Sequence, residues 1–234
     1  MHKTAVVTGA GGYIGRHVVR SLLDRGFSVG AVDPRLDGVD ARAERLDVDI
    51  FSGAPDVYER MGRPDVVLHL AWRDGFKHAS TAHLDDLARH YHLIEDLYAS
   101  GLHQLAVMGT MHEVGYWEGA IDENTPCRPA SLYGIAKNAL RQATLLSAAA
   151  HGGVAQWIRA YYIVGDDAFG SSIFSKLLSA ATEGRRTFPF TSGKNRYDFI
   201  SVQDLADQIA AVVSQEDVDG IINACSGRPV TLAE

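Results

Sequence analysis

Tyr133 and Lys137 stand four residues apart, a spacing that puts both side chains on one face of a helix. A phenol beside an ammonium group is a device for exchanging protons. The positive charge favours phenolate and draws a reference pKa of about 10 toward neutrality. Tyr133 can then give a proton to, or take one from, a substrate hydroxyl or carbonyl. The same pair alone would be an ordinary exposed helix pair; its position argues otherwise, because it follows a long loop after the strand-like run Leu105–Met108. The ten histidines offer no metal site: no two are three or four apart, and His90 and His92 point to different faces. No metal is therefore expected, and His83 and His90 are expected as solvated helix residues. His112, in the loop after Leu105–Met108, is a candidate substrate contact.

A second constellation lies near the N-terminus. Thr8-Gly9-Ala10-Gly11-Gly12-Tyr13-Ile14-Gly15 joins a strand-like run to a helix-like one, with glycines at positions 9, 12 and 15 in GxxGxxG spacing; a GxGxxG reading fails at Ile14. Bare backbone there lets a pyrophosphate approach, and the helix N-terminus supplies N–H groups and a favourable dipole. Gly9, Gly12, Tyr13, Ile14 and Gly15 are thus candidate cofactor contacts. A tight turn with no ligand is the plainer reading, and the strand-to-helix placement weighs against it. Asp33, eighteen residues after Gly15 at the end of the next strand-like run, can accept hydrogen bonds from ribose hydroxyls. That favours NAD, while Arg35 can meet a 2′-phosphate and leaves NADP open.

These groups need a scaffold, and the apolar pattern supplies one. Thr4–Thr8, Ser28–Asp33, Val66–Leu70, Leu105–Met108 and Val154–Ala160 read as strands, separated by helical stretches beginning near Gly12, Pro55, Thr81 and Ala130. Gly26, Gly101 and Gly152 are placed as C-terminal caps. The alternation predicts a parallel sheet with helices on both faces. Beyond Ala160 it weakens: a helix over Ser172–Glu183, short strands at Arg186–Phe190 and Asp198–Val202, then a helix over Gln203–Ser214 and a strand at Gly220–Ala224 that return to the main domain. The expected division is residues 1–165 as the dinucleotide-binding domain and residues 166–234 as a small lobe.

In this order, Thr8–Gly15, Asp33, His69-Leu70-Ala71, Tyr133-Gly134-Ile135-Ala136-Lys137 and Arg196–Asp204 resemble the extended short-chain dehydrogenases/reductases, the epimerase/dehydratase family that modifies nucleotide sugars. The resemblance covers nearly the whole chain. It implies an α/β fold, a Rossmann-like doubly wound parallel sheet with a small C-terminal substrate lobe. It places Asp47 and Val48 beside the adenine and Leu70, Ala71 and Trp72 along the middle of the cofactor. Thr110 falls where the family carries a hydroxyl that holds the reacting oxygen near the tyrosine, and Lys137 would also reach the nicotinamide ribose. Met111, His112, Tyr162 and Arg196 are the implied substrate contacts. Two positions depart from the pattern: Tyr162 replaces the usual asparagine, and the Arg196-Tyr197-Asp198-Phe199-Ile200 run shifts the arginine by one residue.

The implied activity is that of a 4-ketoreductase or 4-epimerase on a nucleotide-activated sugar. A sugar dehydratase is disfavoured because Thr110-Met111-His112 stands where dehydratases carry Thr-Asp-Glu, with Glu113 one residue further along. A redox sensor that only binds NAD(P) would need no proton relay. A net charge of −7 gives no reason to expect nucleic-acid binding. Cys127 and Cys225 are far apart without metal-ligand spacing and read as free thiols in a reducing compartment. With no signal-like or membrane-length segment, the expected location is the cytoplasm. The resemblance also implies a homodimer, through helices near Thr81–Ser100 and Ala130–Ala150. Ser226–Glu234 looks like the entry to a further helix, which leaves a reduced lobe and a truncated chain both open.

Overall fold

A computed structural model describes residues 3–165, 173–189 and 193–232. In chain order the elements are β1 (Thr4–Thr8), α1 (Gly15–Asp24), β2 (Ser28–Val32), β3 (Glu44–Arg45), α2 (Val57–Arg60), β4 (Val66–His69), α3 (Ala82–Asp85), α4 (Leu87–Ala99) and β5 (Gln104–Thr110). A 3₁₀ turn, Met111–Glu113, leads toward α5 (Leu132–His151), β6 (Val154–Ala160), β7 (Tyr162–Val164), α6 (Ile173–Thr182), β8 (Arg196–Tyr197), β9 (Phe199–Ser201), α7 (Val202–Val213), β10 (Gly220–Ala224) and β11 (Val230–Thr231).

Seven strands form one parallel sheet in the order β10-β6-β5-β4-β1-β2-β3. The chain winds outward from β1 to β3, then starts again on the other side with β4, so the order reverses between β1 and β4. The C-terminal ends are level there: Thr8 is in register with both Val32 and His69. Doubly wound sheets bind ligands in the crevice beyond such a point, where the outgoing loops part.

The pleat sorts the strand side chains into two cores. Ala5, Val7, Val66, Leu68, Ala106 and Met108 face α1 and α7, where Val18, Leu22, Leu205 and Ile209 complete one cluster. The alternate residues Val6, Val67, Leu105 and Val107 face α2, α4 and α5, against Tyr58, Ile94, Leu97 and Leu140. Truncating Leu22 or Leu205 to alanine, both fully buried, would cost about 2–5 kcal/mol.

Several expectations move. Helix α1 starts at Gly15 rather than near Gly12, because Gly9 takes a left-handed φ of 74° and its carbonyl is used by the Gly12 N–H at 3.0 Å. Asp86 divides the Thr81–Ser100 stretch into α3 and α4 while its carboxylate pairs with Arg73. Residues 186–189 form no strand, and residue 190 lies outside the described residues; Pro189 has no N–H to offer a ladder there. Instead β8 pairs with β11 and β9 with β7. Between β8 and β9, the Asp198 carboxylate accepts from the backbone N–H groups of Ser226 and Gly227 and from the Ser226 hydroxyl. After them, α7 packs on α1 and β10 joins β6 at the edge of the main sheet.

Candidate active site

The glycine turn is shaped partly by its own chain. A Cβ at Gly9 would lie 2.6 Å from the Ala71 nitrogen, one at Gly11 1.7 Å from the Arg35 oxygen, and one at Gly15 2.1 Å from the Gly9 oxygen. Gly12 differs. It is exposed, and a Cβ there would meet only the Gly9 oxygen, at 3.1 Å. Bare backbone turned outward at the start of α1, at the switch point, fits a pyrophosphate. Asp33 follows β2 directly, and its carboxylate accepts from the Arg35 N–H at 2.9 Å, leaving the Arg35 side chain exposed.

The other expected cofactor contacts border the same cleft or support it. Leu70 donates its N–H to the Thr8 carbonyl at 3.1 Å, and Ala71 lies against Gly9. Ile14 packs on the core, while the Tyr13 hydroxyl reaches toward Gly165, where a Cβ would come within 2.5 Å of it. Val48 is buried, so its side chain belongs to the core; exposed Asp47 gives its carbonyl to Arg60 at 3.1 Å.

Across the switch point, Thr110 is the last residue of β5 and is buried. Its hydroxyl lies near enough to the Tyr133 phenol to favour phenolate. It also accepts from the His112 N–H at 3.3 Å, while the Thr110 N–H donates to Glu113 Oε1 at 2.7 Å, a reciprocal capping box. Ser131 caps α5 by accepting from the Gly134 N–H at 3.1 Å, which sets Tyr133 and Lys137 in the first turns of the helix.

Lys137 is buried, and Nζ donates to the Met108 carbonyl at 2.7 Å and lies 3.8 Å from the centroid of the Trp72 ring. The expectation that Lys137 draws the phenol toward neutrality is corrected here. Burial pushes Tyr133 up to about 12, against the nearby Thr110 hydroxyl, which lowers it. Burial likewise pushes Lys137 down to about 7. Removal from water penalises phenolate and ammonium alike, and the ammonium has found its partners in a carbonyl and an indole face.

His83 and His90, expected from sequence as solvated helix residues, are buried instead. His83 Nδ1 accepts from the Trp72 indole N–H at 3.0 Å, and the His90 ring stacks on Trp72 with centroids 4.4 Å apart. His90 Nδ1 contacts His69 Nε2 at 2.8 Å, and His69 Nδ1 contacts the Thr8 hydroxyl at 2.8 Å. Burial drives both His69 and His90 far down, to about 3 and about 2. The pair is neutral at ordinary pH.

His112 comes close to Tyr133, with ring centroids 5.9 Å apart, and burial lowers it to about 4. His78, missed from sequence, lies nearer: its ring stacks on Tyr133 at 5.1 Å and 11°, and its carbonyl accepts the Tyr133 N–H at 3.1 Å. Met111 is half-buried in the 3₁₀ turn. Tyr162 and Arg196 sit in the two small sheets: Tyr162 meets Tyr197 edge-on at 4.6 Å, and an Arg196 guanidinium nitrogen donates to the Pro229 carbonyl at 2.7 Å. Glu113 faces inward, wholly buried, accepting from Trp157 Nε1 at 2.9 Å and lying 3.5 Å from both Arg141 and Arg159. The Thr110-x-x-Glu113 spacing is a capping-box signal that could have located it; nothing local marks His78.

Residues 5–225 match the NAD dependent epimerase/dehydratase family. The chain belongs to this family. As an epimerase/dehydratase family member it is an NAD-dependent enzyme with the Rossmann-like sheet expected from sequence. It is 42% identical, over 97% of its length and 86% of the relative's, to dTDP-6-deoxy-L-talose 4-dehydrogenase (NAD(+)) of Aggregatibacter actinomycetemcomitans. Its fold matches UDP-N-acetylglucosamine 4-epimerase of Methanobrevibacter ruminantium, solved with UDP-N-acetylmuramic acid, at a TM-score of 0.86 and 19% identity, covering 99% of this chain and 79% of the other. It also matches Thermus thermophilus UDP-glucose 4-epimerase, solved with NAD, at a TM-score of 0.79 and 22% identity, covering 98% and 79%. No helix among the described residues is long and apolar enough to cross a membrane.

Proposed function

We propose that this family member oxidises or reduces C4 of a nucleotide-activated sugar, as a 4-dehydrogenase working in either direction. The observation that carries this reading is the approach of the Thr110 hydroxyl to the Tyr133 phenol, one helical turn from Lys137. The 42% identity to a dTDP-sugar 4-dehydrogenase supports the substrate class.

Thr110 and Tyr133 hold the C4 oxygen between two hydroxyls; Tyr133 gives its proton in the reductive direction and, once deprotonated to phenolate, takes one in the oxidative direction. Bound NAD supplies the two-electron acceptor for the hydrogen leaving C4 as hydride. Lys137 ties α5 to the end of β5 through the Met108 carbonyl and would offer its remaining donors to the nicotinamide ribose. His78 and His112, neutral and packed against Tyr133, form the wall that excludes water from the sugar. Gly9, Gly12, Tyr13, Ile14 and Gly15 receive the pyrophosphate and Asp33 the adenosine ribose. Tyr162 and Arg196 are proposed for the nucleotide end.

A homodimer suits the outer faces of α3 to α5, where Leu84, Tyr91, Ile135 and Leu146 are exposed. The two unpaired thiols, Cys127 and Cys225, suit the cytoplasm. A mass-spectrometric screen of dTDP- and UDP-hexoses and their 4-keto forms, with both nicotinamide cofactors, tests the function. Redox turnover at C4 supports a dehydrogenase. An inverted sugar without net redox change would make the enzyme a 4-epimerase, and no turnover of any nucleotide sugar would overturn the substrate class.

A further inference from the structure

Among the described residues, no carboxylate hydrogen-bonds the buried Lys137 ammonium. Around it stand the Met108 carbonyl from β5, at 2.7 Å, and the Trp72 ring beyond β4, at 3.8 Å. Glu113, beyond β5, acts on it only at longer range as a favourable charge. Among the described residues, the neutral imidazoles of His69, at the end of β4, and His90, on α4, also feel its charge, and Tyr133 precedes it by four residues on its own helix.

Trp72 is held from two directions. Its indole N–H is fixed by His83 Nδ1 at 3.0 Å, and His83 Nε2 is in turn fixed by the Lys77 carbonyl at 3.0 Å. Its plane lies on His90, which hangs from His69 and Thr8. An indole face within about 6 Å of a desolvated cation attracts it through the ring quadrupole.

We infer that Trp72 is a positioning residue whose indole face holds the Lys137 ammonium at the proton-exchange site, in place of a carboxylate. The Thr8–His69–His90 chain and His83 keep that face turned toward Nζ. The inference rests on reading Lys137 as the partner of Tyr133, but not on the identity of the sugar.

The test replaces Trp72 with fluorinated tryptophans of increasing fluorine content, which weaken the quadrupole at nearly constant shape. Lys137 is then titrated by ¹⁵N NMR in lysine-labelled protein without cofactor, its signal assigned with Lys137→Met. The expected result is a stepwise fall in the titration midpoint, reaching about tenfold in proton affinity. The alkaline limb of the pH–rate profile should move down with it. A midpoint that stays fixed or rises along the series overturns the inference. Should the fluorinated chain fail to fold, Trp72→Phe decides in the same way, with a smaller fall expected. Absence of sugar turnover would undercut the proposed function while leaving this titration intact.

Discussion

Lys137 Nζ lies 2.7 Å from the carbonyl of Met108, 29 residues earlier in the chain. That bond ties the first turns of α5 to the end of β5, and so fixes where Tyr133 meets Thr110. It also engages the ammonium with the sheet, which leaves burial to dominate the phenol.

Tyr133→Phe should retain NAD and lose at least about a hundredfold in turnover, since only the transferable proton is removed. Lys137→Ala should in addition weaken NAD binding. Calorimetric titration and steady-state rates check both, and near-native turnover by a folded Tyr133→Phe protein would remove the proton-exchange assignment.

Glu113→Ala should destabilise the chain by about 3–5 kcal/mol, because it strands the buried Arg159 guanidinium without its carboxylate. Glu113→Gln, which keeps an acceptor for the Thr110 N–H, should retain better alignment of Thr110 and hence a higher rate per folded molecule. Urea denaturation read beside turnover separates the two effects; equal stability of Glu113→Ala and the parent would contradict the buried ion pair.

NAD should bind more tightly than NADP. A 2′-phosphate near Asp33 would meet a like charge and lose the ribose hydrogen bond. Asp33→Asn should narrow the difference. Tighter NADP binding by the unmodified chain would assign control of that site to Arg35.

Acid should weaken the fold before most carboxylates titrate. His69 and His90 are held down to about 3 and about 2, below an unfolded value of about 6.5. The unfolded chain therefore takes up protons first, and stability present above pH 6.5 is lost as the pH falls toward 3. Each imidazole contributes a slope approaching ~1.4 kcal/mol per pH unit. Thermal unfolding from pH 7.5 to 5 should show the decline, and His90→Gln should flatten it; an unchanged slope would count against the neutral pair.

The chain should not eliminate water from a nucleotide-activated hexose. Met111 transfers no proton, and Glu113, the one carboxylate in that turn, is committed to Trp157 and the arginines. Incubation with NAD and such a hexose should give no 4-keto-6-deoxy sugar; formation at ordinary catalytic rates would overturn this assignment.

Where apolar runs had a single compatible element, the sequence was sufficient. Strands β1, β6 and β10 fall on the spans read from their residues, and Gly152 caps α5. Ends controlled by local hydrogen bonds moved: Ser131 starts α5 at Leu132, and Gly9 delays α1. The environments of His83 and His90 were illegible because Trp72 and His69, which cover them, come from another element. The same holds for Lys137, whose spacing from Tyr133 was visible while its partners were not.

Helix α7 also has a kinetic meaning. The Ser21 hydroxyl donates to the Asp207 carboxylate across 186 residues, where α7 closes over α1. Contacts of such separation form late, after shorter loops have closed. During synthesis, Val18 and Leu22 of α1 therefore lack their cover until α7 has emerged from the ribosome. A nascent chain arrested near residue 165 would carry the glycine turn, Thr110, Tyr133 and Lys137, yet present an apolar face to chaperones and to other unfinished chains. The residues proposed for catalysis are made before the chain can protect the sheet that bears them.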